Sequence, residues 1–236
     1  MEGRRRLWRR AEAVGVTGGF AVHLEQRPIR LSSGAALFVS SRHLAEAIVA
    51  EWASLPAGAT IRPGQIPLTR LAGTLQERIA PDPEPTISAL CRFGATELLC
   101  YRASGPEALV CREQALWQPW LDWAREELGA ALRVISGVMP LTQSEATLAA
   151  LRRAVTQSDG PALAALGVAV PALGSLILGL AMVRGEIDAG EAMRAAFVDE
   201  LFQAECWGED ALAAARRGEI AAEVEMAERF ARLARA

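Results

Sequence analysis

Residues 20–39 read FAVHLEQRPIRLSSGAALFV, and this stretch decides the fold of the N-terminal part of the chain. Apolar residues occupy every second position at its start and again at its end, which is the periodicity of a half-buried strand. Gln26-Arg27-Pro28 and Ser32-Ser33-Gly34 supply turn residues between the alternating runs. We therefore predict an antiparallel meander within residues 14–39.

A helix is predicted directly after the meander. Ser40 or Ser41 is positioned to cap it, and the apolar pattern continues to about Ser54. The residues of its inner face are Leu44, Ala47, Ile48 and Trp52. Such a helix covers the apolar face that a small sheet would otherwise expose to water. A second short helix is predicted from Pro67 to about Arg78.

Pro81, Pro83 and Pro85 alternate with acidic residues and form the clearest linker in the chain. We place the domain boundary there, with a β-rich N-terminal domain at 1–80 and a helical C-terminal domain at 81–236. The predicted fold class is α+β: a small antiparallel sheet with a covering helix, followed by a larger all-helical domain.

The C-terminal part carries several helix signals. Ser104 and Glu107 have the spacing of a capping box, and the pattern then runs to Gly129 with a kink expected at Pro119. Further helices are predicted at about 143–157, at 189–205 and from 209 to the end. Leu132–Val138 is either a short strand or an extended link.

Leu163–Val183 contains no charged residue over 21 positions, which is long enough on paper to span a bilayer. It is rich in Ala and Gly, contains Pro171 and lacks aromatic or basic flanks, so two consecutive buried helices that meet at Pro171 are favoured over a membrane span. Met1–Arg10 is basic but no apolar run follows it, so it is not a secretory signal. We expect a cytoplasmic protein without stable membrane insertion.

All 25 basic residues are arginine, and the chain has neither lysine nor asparagine. Because Walker-type phosphate loops, Schiff-base enzymes and kinase-like sites need a lysine ammonium, these classes are excluded. The formal net charge of −3 argues against nucleic-acid binding. Charge is unevenly distributed: residues 1–30 have a net charge of +4, and residues 186–215 a net charge of −7.

The cysteines show no CxxC pair and no zinc spacing, so we expect reduced, mostly structural thiols, no metal and no cofactor. A thiol hydrolase that uses Cys100 or Cys111 remains the alternative function. Its candidate bases are His23 and His43, and the asparagine of a papain-like triad is missing from the chain.

Trp117, Trp120 and Trp123 recur at three-residue steps and share a broad helix face. The three rings could form a stacking platform for a ligand, or they could pack against neighbouring helices. Packing is favoured, because no convergent polar groups accompany the rings.

The most informative segment is residues 199–210, DELFQAECWGED. At 100° per residue Glu205 falls near the centre of an apolar arc, where a carboxylate is costly unless it is paired. An arginine partner within the chain, an earlier helix end, or a groove that receives a basic residue would each explain it. Asp199 and Glu200 lie off this arc, so the acids do not all serve one face.

At these residues the sequence resembles the assembly chaperones of the F-type ATP synthase catalytic head, the family that receives the alpha subunit in mitochondria and alphaproteobacteria. The resemblance covers almost the whole chain, and it is the order and spacing of its short motifs that is specific. The matching segments are Leu7–Arg9, Gln26–Arg30, Glu51-Trp52, Pro67–Thr74, Thr96–Arg102, Pro106-Glu107, Trp117 with Pro119, Leu121–Ala124, Gly174–Leu176 and Asp199–Asp210.

The resemblance implies an ATP-independent chaperone, not an enzyme, that keeps the unassembled alpha subunit soluble until the beta subunit replaces it. We expect a free monomer that is cytoplasmic in bacteria, with mitochondrial-matrix relatives in eukaryotes. The acidic segment is the expected contact region, with Glu200 as its first candidate. The full set of candidate partner-binding residues is Asp199, Glu200, Glu205, Trp207 and Glu209.

Overall fold

The computed structural model describes residues 5–137 and 139–236, which form two compact units. The first unit contains the described residues up to Pro83 together with Arg229–Ala236, and the second is Glu84–Glu228. A small antiparallel sheet and its covering helix lie in the first unit, and helices dominate the second. The predicted α+β class is confirmed.

Two of the sequence predictions extend beyond the described residues. The first four residues of the basic start and the last residue of Leu132–Val138 lie outside them. The domain limits 1–80 and 81–236 stay a prediction.

The sheet of the first unit is built around one central strand. β2 pairs with β1 along one side, whereas β3 and β4 pair with different halves of its other side, and all pairs are antiparallel. The strands are β1 (Ala11–Val16), β2 (Gly19–Leu24), β3 (Arg27–Pro28) and β4 (Phe38–Val39).

The pairing differs from the predicted meander, because β4 returns beside β2 rather than beside β3. The amide of Ile29 donates to Val22, and the amide of Leu37 donates to Ile29, so residues 29–37 form an outer hairpin. Gly34, at φ +88°, turns this hairpin. Arg27-Pro28, predicted as a turn, is strand β3, since the chain turns earlier at Glu25, where φ is 58°.

Helix α1 (Arg42–Ser54) covers the sheet as predicted. The Ser41 hydroxyl oxygen accepts the amide hydrogen of Leu44 and donates to the Leu233 carbonyl of the same unit. Leu44, Ile48 and Trp52 are buried on its inner face. The Trp8 and Trp52 rings lie 5.1 Å apart in a tilted arrangement, which adds aromatic packing beside the helix.

Helix α2 (Pro67–Thr74) begins against a glutamate from α1 and continues into a π-helical turn at Leu75–Ile79. The Glu51 carboxylate accepts the amides of Leu68 and Thr69 and the Thr69 hydroxyl, at 2.6–3.0 Å. Because these amides have no acceptor within the first helical turn, Glu51 satisfies donors that would otherwise be orphaned.

The second unit contains seven helices and the greater part of an eighth, together with a short strand pair, within the described residues. β5 (Tyr101–Arg102) pairs in parallel with β6 (Ile135–Ser136), so this unit is mainly rather than wholly helical. The helices are α3 (Glu84–Ala95), α4 (Glu107–Leu128), α5 (Glu145–Thr156), α6 (Gly160–Leu173), α7 (Leu176–Arg184), α8 (Ala189–Ala196), α9 (Val198–Trp207) and α10 (Ala211–Arg235), the last of which ends in the first unit.

Three predicted helix boundaries are wrong in detail. The Ser104 capping box does not form, because α4 is preceded by Pro106 and has no side-chain cap. The helix predicted at 189–205 is two helices, α8 and α9, separated at Phe197. The uncharged stretch does form two buried helices, but Pro171 lies inside α6, and Gly174, at φ +67°, ends it.

Helix α7 is the most deeply buried element, since every residue from Leu176 to Val183 is buried. In the part of the chain that the structure describes, no helix is long and apolar enough to cross a membrane. At Gly179, an added Cβ would lie 2.5 Å from Cγ2 of Val170, so the two helices approach each other closely there.

The start of α7 is fixed by Glu97, which is 1% exposed. Its carboxylate accepts the amides of Leu176 at 2.9 Å and Ile177 at 3.3 Å, and also the Ser175 hydroxyl. Burial raises the pKa of Glu97 to about 7, although each of these hydrogen bonds lowers it. A carboxylate therefore joins α7 to the segment between α3 and β5.

We expect Glu97→Gln to lower the free energy of unfolding by about 1–3 kcal/mol, because the amide nitrogen replaces an acceptor and faces amide donors. The native pKa of about 7 exceeds the ordinary value of 4.5, so the folded protein holds this proton more tightly than the unfolded chain. The stabilising contribution of this proton is complete below pH 4.5 and is lost as pH rises through about 7.

The variant should accordingly lose stability less steeply than the wild type between pH 4.5 and 7. Urea unfolding at several pH values measures both effects, and Glu127→Gln at an exposed position is the control. Equal slopes for the two proteins would contradict the assignment.

Candidate partner-binding surface

The predicted site residues all lie on α9 and on the link from α9 to α10, but their side chains divide into three groups. Asp199 is half-buried and lies beside Glu113 of α4. Glu113 is fully buried, and one of its oxygens accepts the Ala103 amide at 2.8 Å. Burial raises the pKa of Glu113, and the nearby Asp199 carboxyl adds to the increase. Asp199 therefore faces α4 and is not part of the outer surface of α9.

Glu200 and Glu209 share one cation. The Arg217 guanidinium of α10 lies 2.6 Å from a Glu209 oxygen and 3.6 Å from a Glu200 oxygen. The Arg217 side chain is only 12% exposed, whereas the two carboxylates are 61% and 54% exposed. Arg217 thus ties the first turn of α9 and the link after α9 to α10, and leaves both acids accessible to solvent.

Glu205 has an arginine partner within the chain, which was one of the explanations offered by the sequence. The Arg112 guanidinium of α4 lies 2.6 Å from a Glu205 oxygen, and its carbon lies 5.2 Å from the centre of the Phe202 ring. Helix α9 continues past Glu205, and the Glu205 side chain is 58% exposed, so this carboxylate is not buried. Arg112 covers Phe202 and holds Glu205 at the outer edge of α9.

Trp207 and Leu212 are the most exposed large apolar residues of the second unit, at 79% and 83%. Gly208, at φ +94°, ends α9 directly after the tryptophan. One carboxylate oxygen of Asp210 then accepts the amides of Leu212 and Ala213 at 2.8 Å and so caps α10. The sequence analysis did not identify Leu212. The available signal was an apolar residue in the first turn of a predicted helix.

We define the docking surface as Glu200, Glu205, Trp207, Glu209 and Leu212. It combines two exposed apolar side chains with three exposed carboxylates, and the arginines in contact with these acids are Arg112 and Arg217. Such a mixture is suited to binding an apolar protein surface that carries basic groups.

The tryptophans of α4 and the Cys100 thiol, which are the other candidates from the sequence, lie where they contribute to packing. Trp117 is 1% exposed and donates its ring N–H to the Ala195 carbonyl at 2.7 Å, so it packs between helices. Trp120 and Trp123 are half-buried and lie 6.3 Å apart, edge to face. Burial, followed by the neighbouring Glu97 carboxyl, raises the pKa of the Cys100 thiol to about 12, which disfavours its thiolate at neutral pH.

A family model described as the ATP12 chaperone protein matches residues 5–125, just over half of the chain. The chain belongs to the ATP12 chaperone family. ATP12 proteins are ATP synthase assembly chaperones rather than enzymes, in agreement with the sequence resemblance.

Solved structures of ATP12 proteins are similar over nearly the whole chain. Atp12 from Paracoccus denitrificans is 41% identical, with 98% of each chain covered and a TM-score of 0.91. A mutant of that protein gives the same TM-score at 40% identity, with 98% of this chain and 97% of that chain covered. A chaperone-like protein from Agrobacterium tumefaciens is 34% identical, with 96% of this chain and 84% of that chain covered and a TM-score of 0.88.

No cluster of three or more His, Cys, Asp or Glu side chains among residues 5–137 and 139–236 is arranged to hold a metal ion.

The thiols of this ATP12 chain should differ in reactivity according to their burial. Cys111 and Cys206 are exposed, whereas Cys100 is buried with a raised pKa. With iodoacetamide at pH 7.5, we expect alkylation of Cys111 and Cys206 at least tenfold faster than that of Cys100. Peptide mapping of a time course measures the rates. Fastest labelling at Cys100 would instead support the thiol hydrolase alternative.

Proposed function

We propose that this chain binds the unassembled alpha subunit of the F-type ATP synthase catalytic head and keeps it soluble until the beta subunit replaces it. The proposal rests on membership of the ATP12 chaperone family and on the docking surface of α9 and α10. The chaperone acts in the cytoplasm, needs no nucleotide and is a monomer when free.

The observation that carries the proposal is the exposure of Trp207, on a segment whose Glu205 and Glu209 side chains are also exposed. Tryptophan is enriched among the residues that dominate binding energy at protein interfaces, whereas a water-exposed tryptophan contributes little to the fold. Leu212 lies five residues further along the chain and is equally open. An unassembled subunit exposes apolar interface surface, so these two side chains would cover part of it.

The acids of the docking surface have a different role in the proposal. Arg112 and Glu205 are 44% and 58% exposed, so their ion pair is weak, and a basic group of the alpha subunit can take the place of Arg112. Glu200 and Glu209 are more than half exposed, so a basic group can approach them while Arg217 stays in place. Rim charges of this kind favour rapid association and correct orientation more than high affinity, which suits a partner that must later leave.

Asp199 is not one of the proposed contacts. Its half-buried carboxyl lies beside Glu113 rather than in solvent, so the exposed acids of the same helix are the ones that meet the client. Trp207 is the proposed anchor, and Glu200 remains the first candidate among the charged contacts.

We expect Trp207→Ala and Glu200→Lys each to weaken binding of purified alpha subunit by at least tenfold, through lost apolar contact and through reversed charge. Glu127→Lys is the control, since it makes the same charge change at another exposed acid. Biolayer interferometry measures the dissociation constants, and circular dichroism verifies the fold. Unchanged affinity in both folded variants would contradict the proposed surface.

Release should require the beta subunit and not a nucleotide. We expect addition of purified beta subunit to free the chaperone from its alpha-subunit complex, because the beta subunit competes for the same interface. ATP with magnesium alone should leave the complex intact. Size-exclusion chromatography separates the species, and release by ATP alone would be inconsistent with the proposal.

A further inference from the structure

Strand β1 lies at the edge of the sheet, and no strand among residues 5–137 and 139–236 pairs with its outer side. The Glu25 amide donates to the Arg10 carbonyl, which makes these two residues a hydrogen-bonded pair. Because such pairs alternate along an antiparallel ladder, the backbone groups of Ala11, Ala13 and Gly15 point away from β2. The Ile29 amide donates to Val22 from the far side of β2, in agreement with this alternation.

These outward amides and carbonyls form no other hydrogen bond among the described residues. Natural edge strands usually carry a proline, a bulge or several charges that prevent further pairing. β1 has neither a proline nor a bulge, and Glu12 is its one charged residue. Three successive donor and acceptor pairs are therefore available to an extended peptide.

An apolar strip lies on the sheet face beside this edge. An added Cβ on Gly19 would lie 2.7 Å from the Phe38 ring, so the ring covers this glycine. Gly19 is paired directly with Val16, so Phe38 and Val16 occupy the same face. Phe38 is 38% exposed and Val16 is 43% exposed. A strand added to β1 would place every second side chain next to this strip.

The charge of the first unit indicates what kind of strand fits. Residues 1–83 with 229–236 contain fourteen arginines against seven acids, a net charge of +7. Two copies of this unit would repel each other, which disfavours pairing of β1 with the β1 of a second copy. Arg9, just before the strand, is exposed, and the nearby carboxylate is Glu25, which accepts its backbone amide at 2.6 Å. An acidic segment is the complementary partner.

We infer that β1 binds an extended segment of the client, with apolar residues at alternate positions and acidic residues nearby, as an additional antiparallel or parallel strand. The inference rests on the proposed function, because the alpha subunit is taken as the client. It assigns a second contact to the chaperone, made through the backbone and separate in sequence from the docking surface.

Hydrogen–deuterium exchange of the full-length chaperone, alone and with purified alpha subunit, tests this contact. We expect amide exchange in Ala11–Val16 to slow at least tenfold in the complex, since the outward amides gain acceptors. A complex that protects α9 and α10 but leaves β1 unchanged would overturn the inference and leave the proposed function intact. Absence of any complex would overturn both.

Gly15 offers a matched pair of variants, because an added Cβ there meets nothing within 4 Å. Gly15→Pro removes one outward N–H and blocks the edge, whereas Gly15→Ala keeps the N–H. We expect the proline variant to bind alpha subunit at least fivefold more weakly and the alanine variant to bind like the wild type. Should the proline variant fail to fold, the exchange measurement on the wild type decides.

Sedimentation velocity of the free chaperone tests whether a second copy of the chain, rather than a client segment, pairs with β1. A monomer over the full concentration range supports a client segment on β1. A dimer that dissociates in the Gly15→Pro variant would show that a second copy pairs there and would overturn the inference.

Discussion

The second unit depends on a single buried carboxylate at the beginning of its innermost helix. Helix α7 is surrounded by α3, α4, α6 and α8, so its first amides have no access to water. Glu97 supplies the acceptors that these amides need, and Ser175 completes the cap. The hydrogen bonds offset part of the desolvation of this carboxylate, and burial still raises its pKa to about 7. The helices that present the docking surface pack outward from this centre.

Side-chain carboxylates accept backbone amides at other places in the chain as well. Because the chain has no asparagine, other side chains must supply these acceptors. Glu51 holds the start of α2, and Glu113 holds the Ala103 amide beside β5. Serine and aspartate cap several other helices, as at Ser144 and Asp159. Acidic residues therefore do two kinds of work in this protein: some organise the backbone, and others remain at the surface for a partner.

Sequence reasoning predicted the fold class, the capping of α1 and the buried character of the uncharged stretch, because these follow from periodicity and local caps. It misplaced the break in that stretch, since Pro171 is accommodated within α6 and Gly174 ends the helix. It offered an arginine of the chain as one partner for Glu205 but did not identify Arg112, whose approach depends on the packing of α4 against α9. Likewise, the return of β4 to β2 depends on long-range pairing that a local pattern does not encode. The acids of the site were visible in the sequence, whereas the exposure of Leu212 required the structure.

The position of Trp207 also gives the protein an optical property. Of its tryptophans, all of which lie in the described part of the chain, Trp207 alone is exposed, while Trp52 and Trp117 are buried and the others are half-buried. A water-soluble quencher should therefore quench Trp207 more than the other tryptophans. Because Trp207 is solvent-exposed, the quenched component should be the red-shifted part of the emission. Any molecule that covers the end of α9 would protect Trp207 from the quencher. The intrinsic fluorescence of the unlabelled chaperone therefore reports whether this surface is occupied.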